Sequence, residues 1–190
     1  MNKYIFASSN KNKLLEISHK LVNIELISLT DLGYFDNIVE SGCTLEENAL
    51  IKAKTIYEQY NLPCISDDTG LEVYSLGNAP GVFSARYAGE DAKSEDNVKK
   101  LLQKMKHLED RKARFRTVIC LKSHLGEMFF EGIIEGAISC AVMGKNGFGY
   151  DPVFIPDGFC KTFAEMSLDE KNKISHRSQA IKKLAHYLNV

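Results

Sequence analysis

The chain of 190 residues lacks the features that would assign it to a membrane or to nucleic acid. No apolar run approaches the roughly 18 residues that a membrane-spanning helix requires. The apolar stretch inside the first segment, MNKYIFASSNKNK, is too short for the core of a signal peptide. Lysine and arginine (24) almost balance aspartate and glutamate (25), and the net charge of −1 gives no general attraction to either partner. We therefore expect neither a membrane nor nucleic acid as a partner.

Paired cysteines and domain linkers are also missing. The five cysteines are odd in number, widely spaced and without a C-x-x-C pair. This pattern argues against a disulfide framework or a zinc knuckle and indicates reduced thiols in the cytoplasm. No repeat, low-complexity tract or linker rich in Pro, Gly or Ser occurs along the chain. We predict a single domain over residues 1–190, with two lobes around one cleft.

Hydrophobic periodicity predicts strands that alternate with helices in the first part of the chain, followed by a long hairpin. The predicted strands are 3–7, 24–28, 62–66, 71–75, 113–123 and 128–142. The predicted helices are 11–23, 44–60, 94–105 and 175–190, with capping boxes at Thr44–Glu47 and Ser167–Glu170. The fold class expected is α/β, a mixed, strongly twisted central sheet with flanking helices and a cleft between two lobes.

The segment ASSNKNK (7–13) leaves a strand and enters a helix through small polar residues. Such a turn directs the free backbone N–H groups of the helix start toward an anion. Ser8, Ser9 and Asn10 can add side-chain donors, and Lys13, one turn into the helix, can reach a phosphate. An ordinary N-cap before a solvated basic helix explains these residues equally well. The P-loop pattern G-x-x-x-x-G-K-[ST] occurs nowhere in the chain.

A second basic cluster surrounds the predicted start of the last helix, in EKNKISHRSQA (170–180). Its members are Lys171, Lys173, His176 and Arg177, with Ser175 as a candidate N-cap. Positive charge opposes the helix dipole at this end, so cations here make more sense if an anion is to be bound. An isolated run of charge is more often a solvated face.

Two adjacent aspartates, Asp67 and Asp68, follow an apolar strand inside SDDTGLEV (66–73). Successive side chains of a strand point to opposite faces, so the two carboxyls should not share a proton. A carboxylate between two basic clusters suits Mg²⁺ with a polyphosphate, because this ion keeps several waters and takes one or two protein carboxylates. Glu40, in the loop VESGCT, is the candidate second carboxylate. An acidic turn with structural hydrogen bonds explains the aspartates about as well.

Three glycines in six residues mark the segment GKNGFGYDPVF (144–154). Phe148 and Tyr150 offer aromatic faces on which a base could stack. A glycine-rich hairpin turn with buried aromatics is the commoner meaning of such a stretch. The local G-x-G is too weak to indicate a dinucleotide site.

Taken in order, these segments resemble the inosine/xanthosine triphosphate pyrophosphatase family. The resemblance covers nearly the whole chain. It rests on six blocks: SSNKNK, ESG with TLEENALIKA, SDDTGLEV, APGVFSARYAGED, FGYDPVF and EKNKISHRSQA. It implies hydrolysis of the non-standard purine triphosphates ITP, dITP and XTP to monophosphate and pyrophosphate, with Mg²⁺ as cofactor and a homodimer as the assembly.

The resemblance also assigns residues by position. Asp68 matches the catalytic proton acceptor, Asp68 and Glu40 match the metal ligands, and Asp67 has a supporting role. The substrate-binding residues implied are Ser8, Ser9, Asn10, Lys11, Asn12, Lys13, Lys52, Thr69, Phe148, Gly149, Tyr150, Asp151, Lys171, His176 and Arg177.

Two alternatives remain open at this point. A Maf-like nucleotide pyrophosphatase, acting on pyrimidine or modified nucleotides, shares the general fold, but the S-H-R block argues against it. A non-catalytic nucleotide-binding or RNA-binding module would use the basic strand RKARFR (111–116). In that strand Arg114 and Arg116 alternate with other residues, so a solvated strand face is the commoner meaning.

Overall fold

A computed structural model of the chain describes residues 3–190, so the first two residues of the predicted domain lie outside the described part. The strands are β1 (Lys3–Phe6), β2 (Glu25–Ser28), β3 (Cys64–Val73), β4 (Ala79–Gly81), β5 (Lys112–Ser123), β6 (Gly126–Ile138) and β7 (Phe154–Pro156). The helices are α1 (Lys11–Ser18), α2 (Leu45–Tyr60), α3 (Ser94–Lys104), α4 (Leu168–Ile174) and α5 (His176–Leu188). Short 3₁₀ turns lie at Tyr74–Leu76, Ser84–Arg86, Asp151–Val153 and Phe163–Glu165. Within residues 3–190, no helix is long and apolar enough to cross a membrane.

The described strands form a mixed sheet in the order β2-β1-β3-β5-β6-β7, with β4 paired to β3. β1 is parallel to both β2 and β3, whereas β3–β4 and β6–β7 are antiparallel. The predicted α/β class with a mixed sheet and flanking helices is therefore confirmed. The chain divides into two compact units, and the predicted single domain around one cleft stays a prediction.

The first unit contains the described residues through Asp68, together with Thr117–Gly132 and His176–Val190. Its core joins apolar side chains of β1, β3 and β5 to those of α1 and α5, including Phe6, Ile65 and Leu184. Burying each of these large side chains contributes roughly 1.5–3 kcal/mol. This core fixes the end of β1, the first half of β3 and the starts of α1 and α5, where the polar residues predicted from the sequence lie.

The second unit contains Thr69–Arg116 and Ile133–Ser175. Three phenylalanines form the centre of its core. Phe115 packs edge-on against Phe154 with 4.7 Å between ring centroids, and Phe163 stacks on Phe115 at 6.1 Å. This aromatic cluster supports the segment that carries the glycine-rich loop.

The structure corrects the prediction of separate strands at 62–66 and 71–75. β3 runs without a break from Cys64 to Val73, so SDDTGLEV is strand and not a turn. Its antiparallel partner is β4, where Leu71 faces Gly81. Gly70 permits this pairing, because a Cβ at that position would lie 2.7 Å from the Gly81 carbonyl oxygen.

The predicted helix and strand ends also need correction. The helix predicted at 11–23 ends at Ser18, and the strand predicted at 128–142 spans Gly126–Ile138. Both predicted capping boxes are confirmed, at Thr44–Glu47 and Ser167–Glu170. The second box opens the seven-residue helix α4, which ends at Ile174, and its C-cap Ser175 immediately precedes α5.

Candidate active site

The start of α1 presents polar groups at the end of β1. Asn10 is the N-cap, and its Oδ1 accepts hydrogen bonds from the backbone N–H groups of Asn12 (3.0 Å) and Lys13 (3.2 Å). The Ser8 hydroxyl accepts the Asn10 N–H at 3.3 Å. Cap and phosphate-binding roles are compatible here, because Asn10 uses its oxygen for the cap while Ser9 and Lys11 remain exposed.

Asp67 lies in a buried network of charges in the first unit. Its Oδ1 is 3.1 Å from the Lys13 ammonium, and its Oδ2 accepts a hydrogen bond from the Arg177 Nε at 3.1 Å. Arg177 Nη1 donates in turn to Glu16 Oε2 at 2.5 Å. The Asp67 and Arg177 side chains are only 1% and 2% exposed, so the pairing compensates charges that water does not reach.

Asp68 points to different partners. The Lys52 ammonium lies 3.3 Å from Asp68 Oδ1 and 2.9 Å from Glu40 Oε1, so one cation joins both carboxylates. The second oxygen, Asp68 Oδ2, is buried without a hydrogen-bond partner in the part of the chain that is described. The prediction that adjacent aspartates serve opposite faces is therefore confirmed.

The two aspartates differ in acidity because their surroundings differ. Burial alone would raise the pKa of Asp67, but the charges of Lys13 and Arg177 hold it well below its ordinary value. Burial raises the pKa of Asp68, and although Lys52 opposes the rise, Glu40 and Asp67 add to it. Asp67 is thus held as a permanent anion, whereas Asp68 is the better proton acceptor of the two.

The pKa values of the two lysines near the aspartates, Lys13 and Lys52, are also shifted in opposite directions. Burial lowers the pKa of Lys13, and the charges of Lys52 and Arg177 lower it further against the attraction of Asp67. Burial would also lower the pKa of Lys52, but Asp68 and Glu40 more than offset it, so this pKa is raised. Lys52 therefore stays protonated at neutral pH, next to the carboxylate with the unsatisfied oxygen.

In the second unit, a buried ion pair organises the glycine-rich loop. Lys171 Nζ donates to Asp151 Oδ2 at 2.6 Å, and the same oxygen accepts the Phe148 N–H at 2.9 Å. The Lys171 ammonium also lies 4.7 Å from the centroid of the Phe148 ring. A groove of about 500 Å³ runs beside this loop, with Phe148 and Gly149 among its lining residues.

Tyr150 requires a correction. The sequence suggested that its ring offers a face to a base, but the side chain is 4% exposed and belongs to the core of the second unit. Its hydroxyl donates to the Ser84 carbonyl oxygen at 2.9 Å. Periodicity alone does not reveal which side chains a loop buries, so the sequence could not show that a tyrosine following Gly147 and Gly149 lies in the core.

The remaining predicted residues are placed as follows. His176 is buried at the start of α5, Asn12 is exposed in the first turn of α1, and Thr69 is half-buried directly after Asp68. Their predicted contacts with substrate stay predictions.

Sequence reasoning missed Glu16 and Asn48. A signal existed for each, since Glu16 follows Lys13 by three residues and Asn48 precedes Lys52 by four, on the same helix face in both cases.

Comparison with known proteins identifies the family of the chain. The profile of the Ham1 family matches residues 4–187. The chain belongs to the Ham1 family. This membership confirms the resemblance that the six sequence blocks indicated.

Relatives with an assigned name are similar to this chain over nearly its full length. A relative from Christiangramia forsetii, named dITP/XTP pyrophosphatase, is 50% identical over 188 residues, covering 98% of this chain and 99% of its own. The Porphyromonas gingivalis protein of the same name is 50% identical over 190 residues, covering 99% and 98%.

Solved Ham1 structures have the same fold. The Staphylococcus aureus Ham1 protein has a TM-score of 0.91 at 37% identity, covering 99% of this chain and 98% of its own. A HAM1 protein from Coxiella burnetii has a TM-score of 0.92 at 39% identity, covering 100% and 99%.

Two glycines of the glycine-rich loop give a matched pair of substitutions. Gly147 and Gly149 both have positive φ, +74° and +64°, so alanine at either position adds roughly 1–2 kcal/mol of left-handed strain. Only at Gly147 would the added Cβ overlap the Asp151 carboxylate, while at Gly149 nothing lies within 4 Å. We expect Gly147→Ala to lose more stability in thermal unfolding, and to raise KM for nucleotide more, than Gly149→Ala. Equal effects of the two substitutions would contradict the role given to the Asp151 carboxylate.

Proposed function

We propose that this protein hydrolyses the non-standard purine nucleoside triphosphates dITP, ITP and XTP to the monophosphate and pyrophosphate, and so cleanses the nucleotide pool. The names of the full-length relatives support the substrate class. The observation that carries the proposal is the cluster around Lys52, where a proton acceptor with an unsatisfied buried oxygen lies beside a fixed cation. A homodimer, which the family resemblance implies, and a cytoplasmic location, which the cysteine pattern indicates, complete the proposal.

Mg²⁺ fits the residues of the first unit. Within residues 3–190 no group of three or more His, Cys, Asp or Glu side chains is arranged to hold a metal by itself. Mg²⁺ needs no such group, since it commonly binds through one or two carboxylates plus substrate phosphates. Asp68 and Glu40 converge on one ammonium, and the unsatisfied Asp68 Oδ2 is a hard oxygen donor suited to this ion. Bound there, Mg²⁺ would neutralise phosphate charge and polarise a phosphoryl oxygen.

The residues of the chain can perform the hydrolysis by proton transfer and charge stabilisation. Asp68 orients a water molecule and takes its proton, while the water oxygen forms a bond to the α-phosphorus. The bond from the α-phosphorus to the bridging oxygen breaks, and that oxygen leaves with pyrophosphate. Lys13 and Lys52 stabilise the negative charge that develops on the leaving group. Asp67 holds Lys13 in place for this task.

Selection of the base rests on the group at the 6-position of the purine. Hypoxanthine and xanthine carry an oxygen that accepts hydrogen bonds from donors of the protein, for which the sequence suggested His176, Arg177 or loop N–H groups. Adenine carries an amino group instead and would leave such donors unpaired, a mismatch of about 1–3 kcal/mol for each buried group. Guanine shares the 6-oxygen, so its rejection must depend on its 2-amino group.

A substrate panel tests the proposal directly. Pyrophosphate release would be measured from ITP, XTP, dITP, ATP, GTP, CTP and UTP, each with Mg²⁺ and with EDTA. We expect fast release from ITP, XTP and dITP that EDTA abolishes. Preference for a pyrimidine or a modified nucleotide would instead support the Maf-like alternative, and no release from any substrate would indicate a binding module. Arg114, on the strand that such a module would use, is engaged by Glu72 at 2.6 Å.

A further inference from the structure

The loop that carries Glu40 is attached to the first turns of α2 by three hydrogen bonds from its backbone N–H groups to side chains of the helix. The Gly42 N–H donates to Asn48 Oδ1 at 2.8 Å. The next two N–H groups, of Cys43 and Thr44, donate to Glu47 Oε2 at 2.6 and 3.3 Å. The loop is therefore held by side chains of the helix that also carries Lys52.

Gly42 lies directly against this helix. A Cβ at position 42 would be 2.6 Å from the Glu47 Cβ and 2.7 Å from Asn48 Oδ1, so only glycine fits. Asn48 is fully buried, and its Nδ2 has no hydrogen-bond partner among residues 3–190. Burial of this unpaired amide nitrogen lowers the stability of the protein. If position 48 served packing alone, an apolar side chain would be more stable there than asparagine. Because the Gly42 N–H requires an acceptor, the amide oxygen must face the loop.

Asn48 and Lys52 are one helical turn apart and share a face of α2. Glu40 lies two residues before Gly42 and reaches the Lys52 ammonium at 2.9 Å. The side chains next to Glu40 in the loop, Val39 and Ser41, are exposed and give it little support. The bond from Gly42 to Asn48 thus attaches the loop, two residues after Glu40, to the helix that carries Lys52.

We propose that Asn48 is a positioning residue, which holds the Glu40 carboxylate beside Lys52 and Asp68 by binding the Gly42 N–H. The role of Glu40 in this inference rests on the proposed function. Residues that fix a metal-binding carboxylate without touching the metal commonly matter almost as much as the carboxylate itself. Asn48 therefore acts through Glu40, and its effect on turnover must disappear when Glu40 cannot act.

A double-mutant cycle with a structural measurement tests this inference. The variants are Asn48→Leu, Glu40→Gln and both together, assayed for kcat and for the Mg²⁺ concentration at half-maximal rate. Hydrogen exchange of the backbone around Gly42 is measured without nucleotide or metal. The matched control is Asn97→Leu, since Asn97 is also a buried helix asparagine that accepts a loop N–H, from Ala88 at 2.7 Å, but in the second unit.

We expect Asn48→Leu to lower kcat about 10–100-fold and to raise the Mg²⁺ requirement. In the Glu40→Gln background the same change should cost less than about twofold, because the two residues act as one unit. Exchange around Gly42 should accelerate in Asn48→Leu and stay unchanged in Asn97→Leu.

Two results would overturn the inference: unchanged exchange around Gly42, or equal losses of kcat from Asn48→Leu with and without Glu40. If the wild-type protein released no pyrophosphate, the proposed function would fail separately. Hydrogen exchange would then still decide whether Asn48 holds the loop.

Discussion

Replacing Asp68 with asparagine is expected to lower kcat for dITP about 10²–10⁴-fold, the usual contribution of a general base. The amide keeps the size of the carboxyl group and an oxygen that can accept from Lys52, but it cannot take a proton from water. Stability should be unchanged or slightly increased, because burial already disfavours the charged form of Asp68. Steady-state kinetics and thermal unfolding of the purified variant provide the measurement.

The neighbouring residue supplies the control. Asp67→Asn makes the same chemical change one position earlier, but removes the anion that compensates Lys13 and Arg177. That variant should lose stability as well as turnover, because Asp67 also holds Lys13, whereas Asp68→Asn should lose turnover alone. A kcat for Asp68→Asn within about threefold of wild type would remove Asp68 from the role of base.

The largest expected effect on stability belongs to Arg177. Arg177→Met keeps much of the side-chain volume but leaves Asp67 and Glu16 without the guanidinium that both contact. Breaking a buried ion pair from one side typically costs about 3–5 kcal/mol, and we expect a loss of that size in the free energy of unfolding. Chemical denaturation monitored by circular dichroism would measure it.

Arg114→Met is the matched control for this change. Arg114 also pairs with a carboxylate, Glu72, but its side chain is 32% exposed, so its removal should cost no more than about 1 kcal/mol. Similar losses of stability in both variants would contradict the buried network as a source of stability.

The ratio of kcat/KM for ITP to that for ATP, measured in Arg177→Met, distinguishes the two roles assigned to Arg177. A lower ratio supports base recognition, and an unchanged ratio confines Arg177 to the charge network.

Local features of the site were predictable from the sequence, and long-range pairings were not. The opposite orientation of Asp67 and Asp68 follows from the two-residue period of a strand, and the start of α2 follows from the capping box at Thr44. That Arg177 would bind Asp67 could not be predicted, because no local rule relates residues on different elements so far apart. The family resemblance supplied the proposal that Asp68 is the base, and the structure adds the charges that distinguish it from Asp67.

Failures of the sequence prediction have a common physical cause. Tyr150 is polar at its tip and lies among glycines, yet its ring fills the core of the second unit. The continuous β3 was divided because a pair of aspartates and a glycine are poor strand formers, although buried partners keep all three in the strand. In both places tertiary contacts override local preference.

The network around Arg177 has a consequence for the order in which the chain is made. Glu16 lies 161 positions before Arg177 in the sequence, and Asp67 lies 110 before it. Synthesis proceeds from the amino terminus, and both carboxylates therefore leave the ribosome long before the guanidinium that neutralises them. Until α5 has been translated, the first unit contains acidic groups that favour solvation over burial. Translation of α5 thus supplies the last counter-ion, and a chain that terminated before Arg177 would lack the compensated charges on which the candidate site depends.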